Sequence, residues 1–242
     1  MKYGLISDIH GNVEALRAVL SDIKRHRVDS IHCLGDVVGY GADPTACLKL
    51  VLENCDTKLL GNHEYAALGL QSCDNFNDAA KTSTEWTQQT LDDDWIAVMS
   101  DFAVDRPMDD MYLVHASPFE PSEWHYILSA TDAINAFEHL KQRIGFFGHS
   151  HIPTILREKP EGLPSIQTGH DFTADPEGRY LVNVGSVGQP RDNDPRASYV
   201  VFDSEELDIE FHRVEYDIEA AQHKMSEANL PSTLISRLSA GI

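Results

Sequence analysis

The chain has 242 residues, 42% of them hydrophobic, and a formal net charge of −20 from 39 acidic and 19 basic side chains. That length can bury a full core as a single domain spanning 1–242, and the charge works against long nucleic acids and anionic membranes as partners. No apolar run approaches the roughly 18 residues of a membrane span. In chain order, "KYGLIS" (2–7) reads as a strand leading into Asp8. Asn12 is a good N-cap, and Val13, Leu16, Leu20 and Ile23 then share one helical face. "SIHCLG" (30–35) reads as a second strand, leading into Asp36. Pro44 suits the first turn of a second helix, with Cys47, Leu48, Val51 and Leu52 inward. "TKLLG" (57–61) is a third strand, ending at Asn62. This β-α-β-α-β order predicts parallel strands joined by crossover helices, with ligand sites beyond the strands' carboxyl ends.

Residues 63–100 read as mostly helical. "MYLVH" (111–115) is a strand ending on His115, 130–143 a further helix, and "RIGFFGH" (143–149) a strand ending on His149. Past about residue 154, "RYLVNVGS", "SYVVFD" and "LDIEFHRVEY" alternate and predict antiparallel strands. These would complete a second sheet or pair across a dimer. The tail, 217–242, reads as two short helices broken at Pro231. Cys33, Cys47, Cys55 and Cys73 have no CxxC or CxC spacing and read as reduced, mostly buried thiols. The start, "MKYGLISDIHGN", is too polar for a signal peptide, so the natural reading is cytoplasmic.

The strand ends collect Asp8 and His10, Asp36, Asn62 and His63, His115, and His149 and His151. Carboxylates, imidazoles and one amide, without a thiolate, suit Mn²⁺, Fe or Zn²⁺. Asp8-x-His10 and His149-x-His151 each place two donors on one side of an extended strand end. One metal needs three or four such ligands; seven suit two metals if a carboxylate bridges them. Each fragment alone is common. Their order along the chain, each at a predicted strand end, is not.

In sequence, "SDIHGN", "GDVVG", "GNHE", "VHAS" and "GHSH" resemble the calcineurin-like metallophosphoesterase superfamily, and the later "NVGSVGQPRD" resembles its small bacterial phosphodiesterase and diadenosine-polyphosphate-hydrolase-like branch. The motifs span residues 7–192. The resemblance implies an α/β fold, a four-layer α/β/β/α sandwich of two mixed sheets flanked by helices, with a two-metal centre at one edge. It implies that Asp8, His10 and His151 hold one divalent ion, that Asn62, His115 and His149 hold the other, and that Asp36 bridges them. The ions would be Mn, Fe, Zn or Ni, with Mn favoured. Two cations so placed clamp a phosphoryl oxygen and generate the attacking hydroxide. His63 is the candidate general acid for the leaving alkoxide.

Many relatives read GDxxD, where the second aspartate orients the catalytic histidine. Here that position is Gly39, and Asp43 or Glu64 are the substitutes within reach in sequence. Weaker acid catalysis would favour activated diesters or nucleotide anhydrides over monoesters. Tyr40 and Arg191 are candidate substrate contacts, Arg196 a lesser one, and His170, Phe172 and the "SPFEPSEWHY" loop (117–126), with Trp124 and Phe119, a candidate rim for a base or aromatic leaving group. His26, His32, His139, His212 and His223 have no motif context and read as structural. The expected substrate is a small phosphorylated or nucleotide molecule. The alternatives are a non-catalytic metal-binding module on the same fold, or a phosphomonoesterase or protein phosphatase. An intact ligand set and His63 argue against the first, and the absence of "GDxxDRG" offers nothing for a protein phosphatase.

Overall fold

In the computed structural model, which describes residues 1–73 and 76–242, every predicted strand-to-donor junction is present. The elements run β1 (Lys2–Ile6), α1 (Val13–His26), β2 (Ser30–Cys33), α2 (Pro44–Asn54), β3 (Thr57–Lys58), α3 (Asn62–Ala67), α4 (Asp78–Thr90) and α5 (Asp93–Ser100). They continue β4 (Asp105–Pro107), β5 (Met111–Val114), α6 (Ala130–His139), β6 (Ile144–Phe147), β7 (Thr154–Arg157), β8 (Ser165–Thr168), β9 (Phe172–Thr173) and β10 (Tyr180–Asn183). β11 (Ala197–Asp203), β12 (Asp208–Val214), α7 (Ile218–Glu227) and α8 (Ser232–Ala240) close the chain.

Two six-stranded mixed sheets result, in the orders β3-β2-β1-β11-β12-β9 and β4-β5-β6-β10-β7-β8. Their inner faces share one apolar core that includes Leu5, Leu34, Phe146, Val182, Val200 and Phe202. Strand alternation sends the neighbouring Ile6, Cys33 and Val201 to the opposite face, against Leu16, Val19 and Ile23 of α1 and Leu48 and Val51 of α2. On the far side, Ala133 and Phe137 of α6 cover Val114, Phe147 and Leu181. The layers therefore run helix, sheet, sheet, helix. Asn12 caps α1 by accepting a hydrogen bond from the Ala15 amide at 3.1 Å, and Pro44 opens α2.

Four expectations are corrected. Leu52 is 38% exposed rather than inward, because the buried stripe of α2 is narrower than its apolar run. The helix after residue 130 stops at His139, not 143. β10 is antiparallel to β7 but parallel to β6, since it is inserted between them. β11 and β12 neither complete the second sheet nor need a dimer partner: they extend the first sheet beside β1 within the same chain. Cys33, Cys47 and Cys55 are free thiols and buried. Among the described residues, no helix is long and apolar enough to cross a membrane.

Candidate metal centre

Five strands deliver the donors at their carboxyl ends: β1 leads to Asp8 and His10, β2 to Asp36, β3 to Asn62 and His63 at the start of α3, β5 to His115, and β6 to His149 and His151. The loops carrying them are laced to one another. The Asp8 amide donates to Gly35 O at 3.0 Å, the His10 amide to Asp36 O at 2.9 Å, and the Gly148 amide to His115 O at 2.9 Å. Six residues of this region, Asp8, His10, Asp36, Tyr40, His149 and His151, sit in the left-handed region with φ between 50° and 66°. A non-glycine residue held there costs about 1–3 kcal/mol, and such residues cluster where a side chain must be aimed against local preference.

The aimed side chains converge. Donor atoms of Asp8, His10 and His151 lie within 4.8 Å of one another, and so do those of Asp36, His115 and His149; all six residues are buried. Asp36 Oδ2 stands 3.6 Å from His10 Nε2 and 3.4 Å from His115 Nε2, between the two groups. Asn62 Oδ1 lies 3.3 Å from His115 Nε2.

Proton bookkeeping tests whether a cation fits. The Nδ1 of His10 faces Val38 O at 3.2 Å, that of His115 faces Leu34 O at 3.0 Å, and that of His151 faces Gln189 O at 2.6 Å. A carbonyl only accepts, so each Nδ1 carries a proton; the neutral rings of His10 and His151 then present an Nε2 lone pair, and His115 Nε2 is the atom that must lose a proton to bind a cation. Those lone pairs point at acceptors: His10 Nε2 at His151 Nε2, 3.1 Å away, and His151 Nε2 at Asp8 Oδ1, 3.3 Å away. His149 Nε2 is buried without a hydrogen-bond partner among the described residues. Facing lone pairs and carboxylates repel unless a positive charge lies between them, so the residues fit divalent cations.

The titration directions agree. Burial holds His10, His149 and His151 below the ordinary imidazole range, His149 at about 3. Burial also disfavours the Asp36 anion, but His115, His63 and His10 outweigh it and hold the carboxyl well below its usual range. Burial lifts Asp8 to about 7. Burial alone would lower His115, yet Asp36, with Asp8 and Glu64, carries it up to about 9. Metal-free protein thus holds protons on Asp8 and His115 that a cation must displace. Metal affinity is expected to rise as pH increases from below about 7 toward about 9, the values for these two groups, by up to about tenfold per unit for each proton released. Titrating chelator-stripped protein with Mn²⁺ in weak buffer at neutral pH should acidify the solution; unchanged pH with metal bound contradicts this.

His63 is buried against the rings of Tyr40, His10 and Phe76, at centroid distances of 4.5, 4.9 and 5.3 Å. Its Nδ1 has no hydrogen-bond partner among the described residues. Neither expected substitute supplies one. Asp43 pairs with Lys224 at 2.9 Å. Glu64 accepts from the backbone amides of Asp36 and Gly61 at 2.8 Å and Val38 at 2.9 Å. It staples the Asp36 loop to the start of α3 and does not orient His63. Gly39 explains the vacancy, since a Cβ there would collide with His63 Nδ1: the ring occupies the space of the missing side chain.

A cleft of about 640 Å³ opens over the donors and is bordered by Tyr40, Asn62, Phe76, Trp124, Tyr126 and His149. Tyr126 is 48% exposed and stacks on His149 at 3.9 Å. Arg191 reaches Tyr40 Oη at 3.4 Å and Gln189 Oε1 at 3.1 Å, its Nε buried without a partner among the described residues. Arg196 is spent on Asp194. His170 and Phe172 line a separate cavity near Tyr180, and Phe119 stacks on His125, so of the four proposed rim residues only Trp124 lines the cleft. Trp124 and Tyr126 bring the predicted 117–126 rim loop to the cleft, whereas Phe76 was missed. Tyr126 ends the aromatic run 117–126, but nothing in that run says which ring turns inward.

The calcineurin-like phosphoesterase superfamily domain model matches residues 1–207. An uncharacterized protein of Methanocaldococcus jannaschii is 38% identical, over 98% of this chain and 97% of its own. The crystal structure of a metallophosphoesterase from Sphaerobacter thermophilus is 40% identical and superposes with a TM-score of 0.88, covering 100% of this chain and 99% of that one. A hypothetical protein from Pyrococcus horikoshii shares the fold at 17% identity, with a TM-score of 0.81 over 100% of this chain and 98% of its own.

Proposed function

The chain belongs to the calcineurin-like phosphoesterase superfamily, and we propose that it is a metal-dependent hydrolase of phosphodiesters or nucleotide polyphosphates, with His63 as general acid. The observation that carries this reading is the convergence of imidazole lone pairs and two buried carboxylates beneath an open cleft. In this reading Asp8, His10 and His151 hold one divalent cation, Asn62, His115 and His149 a second, and Asp36 touches both. Bound there, the cations supply Lewis-acid neutralisation of phosphoryl charge and acidify water at neutral pH. Asn62 ligates through a neutral oxygen, which leaves more of the positive charge for substrate.

The other residues act on the substrate. Burial holds His63 below its ordinary range, so it is largely neutral in the free protein at neutral pH. An anionic phosphoryl group beside it raises its proton affinity, and the imidazolium forms where the leaving oxygen needs a proton. Arg191 offers a guanidinium beside His10, His63 and His149, suited to a phosphoryl group that does not react. Tyr40 packs beneath that guanidinium, and Tyr126, Phe76 and Trp124 form apolar walls for an aryl or nucleobase substituent.

Hydrolysis of bis(p-nitrophenyl) phosphate with Mn²⁺, set against the p-nitrophenyl monoester and a chelated control, tests the reading. Rapid diester turnover, slow monoester turnover and none after chelation are expected. No turnover of either ester or of a nucleotide polyphosphate, with metals bound, would replace it with a non-catalytic metal-binding module.

A further inference from the structure

Among the described residues, one more group of donors outside this centre meets the same geometric condition. Single donor atoms of Asp22, His26 and His212 lie within 4.8 Å of one another, as those of the two catalytic groups do. Asp22 and His26 occupy adjacent turns of α1, and His212 projects from β12. α1 begins next to His10 and ends at His26, so its 14 residues place this group about 20 Å from the cleft end of the helix. We propose that Asp22, His26 and His212 form a further divalent-cation site, of the kind that takes Zn²⁺, clipping the C-terminal turn of α1 to β12.

The donor types and their surroundings support this. Two imidazoles and a carboxylate are a zinc-type set, completed by a fourth ligand or water. His212 Nε2 is buried and has no hydrogen-bond partner among the described residues. Glu210 Oε2, two residues along the same strand, approaches it to 3.4 Å and is the available fourth donor. The His26 and His212 rings lie 4.2 Å apart, and Tyr199 backs His212 at 4.9 Å, fixing its plane. The Tyr199 hydroxyl donates to Asp22 Oδ2 at 2.7 Å, the kind of outer hydrogen bond that orients a ligating carboxylate. Asp22 also borders a solvent cavity of about 410 Å³ that it shares with Arg25, Arg213 and Glu215.

The competing use of Asp22 is its ion pair with Arg25 at 3.0 Å. Arg25 is 76% exposed there, and an exposed pair of this kind is worth about 0–1 kcal/mol. That is small against a chelated dication. Arg25 can also keep its place on Oδ1, because a carboxylate has lone pairs for both partners.

The test is metal content. Chelator-stripped wild-type protein, and the His26→Ala, His212→Ala and Asp22→Asn variants, are each dialysed against micromolar Zn²⁺ and assayed by mass spectrometry for zinc per chain. Each variant is expected to hold one equivalent less than wild type, with diester turnover in Mn²⁺ unchanged. The difference between wild type and variant stays at one equivalent whatever the catalytic centre binds, so this result is independent of the reading above. Asp22→Asn preserves size and keeps an oxygen for Tyr199, so it guards against a variant that fails to fold. Equal zinc content in wild type and in a folded Asp22→Asn or His212→Ala variant overturns the proposal.

Discussion

Replacing Asp36 with asparagine is expected to lower kcat for diester hydrolysis by at least about 10³-fold and to reduce bound metal, while leaving the fold intact. The buried Asp36 carboxylate stands between His10 and His115, one from each donor group, and it is the one carboxylate within 3.6 Å of both. It is anionic because the surrounding imidazoles overcome its burial. Asparagine keeps the shape. Its oxygen can still accept the His63 amide, as Asp36 Oδ1 does at 3.0 Å. Its amino group, however, would face His10 Nε2 and His115 Nε2, and without the carboxylate that keeps His115 protonated both nitrogens can accept from it. The variant therefore satisfies with hydrogen bonds the atoms that otherwise await a cation. Thermal unfolding of the chelated protein should show Asp36→Asn at least as stable as wild type, which separates lost chemistry from lost structure. Turnover within about tenfold of wild type in Mn²⁺ would remove Asp36 from the centre of the mechanism.

The donors were legible in the sequence because each is carried by a short apolar run that ends abruptly in a polar residue. β5 and β6 are buried almost throughout and β1 and β2 in their last residues, so an apolar segment precedes each donor loop. The same reasoning found α1 and α2 from a cap, a proline and a periodic apolar face. It missed β4, β7, β8 and β9, whose segments DRP, TILR, SIQT and FT mix polar with apolar residues and, unlike the equally short β2, β3, β5 and β6, lead into no candidate donor. It could not foresee β11 and β12 beside β1, because strand order in a sheet follows from long-range pairing rather than from local alternation. The site's left-handed backbone was equally hidden: aspartate and histidine tolerate φ near 50° better than most residues, but nothing in the local sequence says that these ones adopt it. Glu64 shows the limit most clearly. A glutamate beside His63 suggests a partner for that histidine, and only the fold reveals that three backbone amides have claimed it.

The second large effect is a change in leaving-group dependence. His63→Ala is expected to slow hydrolysis of a dinucleoside phosphate, whose alkoxide must be protonated as it departs, by about 10²–10⁴-fold. For bis(p-nitrophenyl) phosphate the loss should stay below about tenfold, because nitrophenolate leaves without a proton and general-acid catalysis has little to add. The contrast matters more than either number. A ring that merely packs against Tyr40 and Phe76 would, when removed, slow both substrates alike. Gly39→Asp extends the argument, since it restores the aspartate that many relatives carry. Here it should not restore a dyad. Gly39 has φ of 85°, which a side chain resists, and the new Cβ would collide with His63 Nδ1. The ring must move away from Tyr40 and His10 to admit it. The variant is therefore expected to lose stability by about 1–3 kcal/mol and to show the leaving-group profile of His63→Ala rather than faster turnover. Acceleration of the dinucleoside substrate by Gly39→Asp would mean that the loop relaxes to admit the carboxylate, and that His63 works below its capacity for want of a partner.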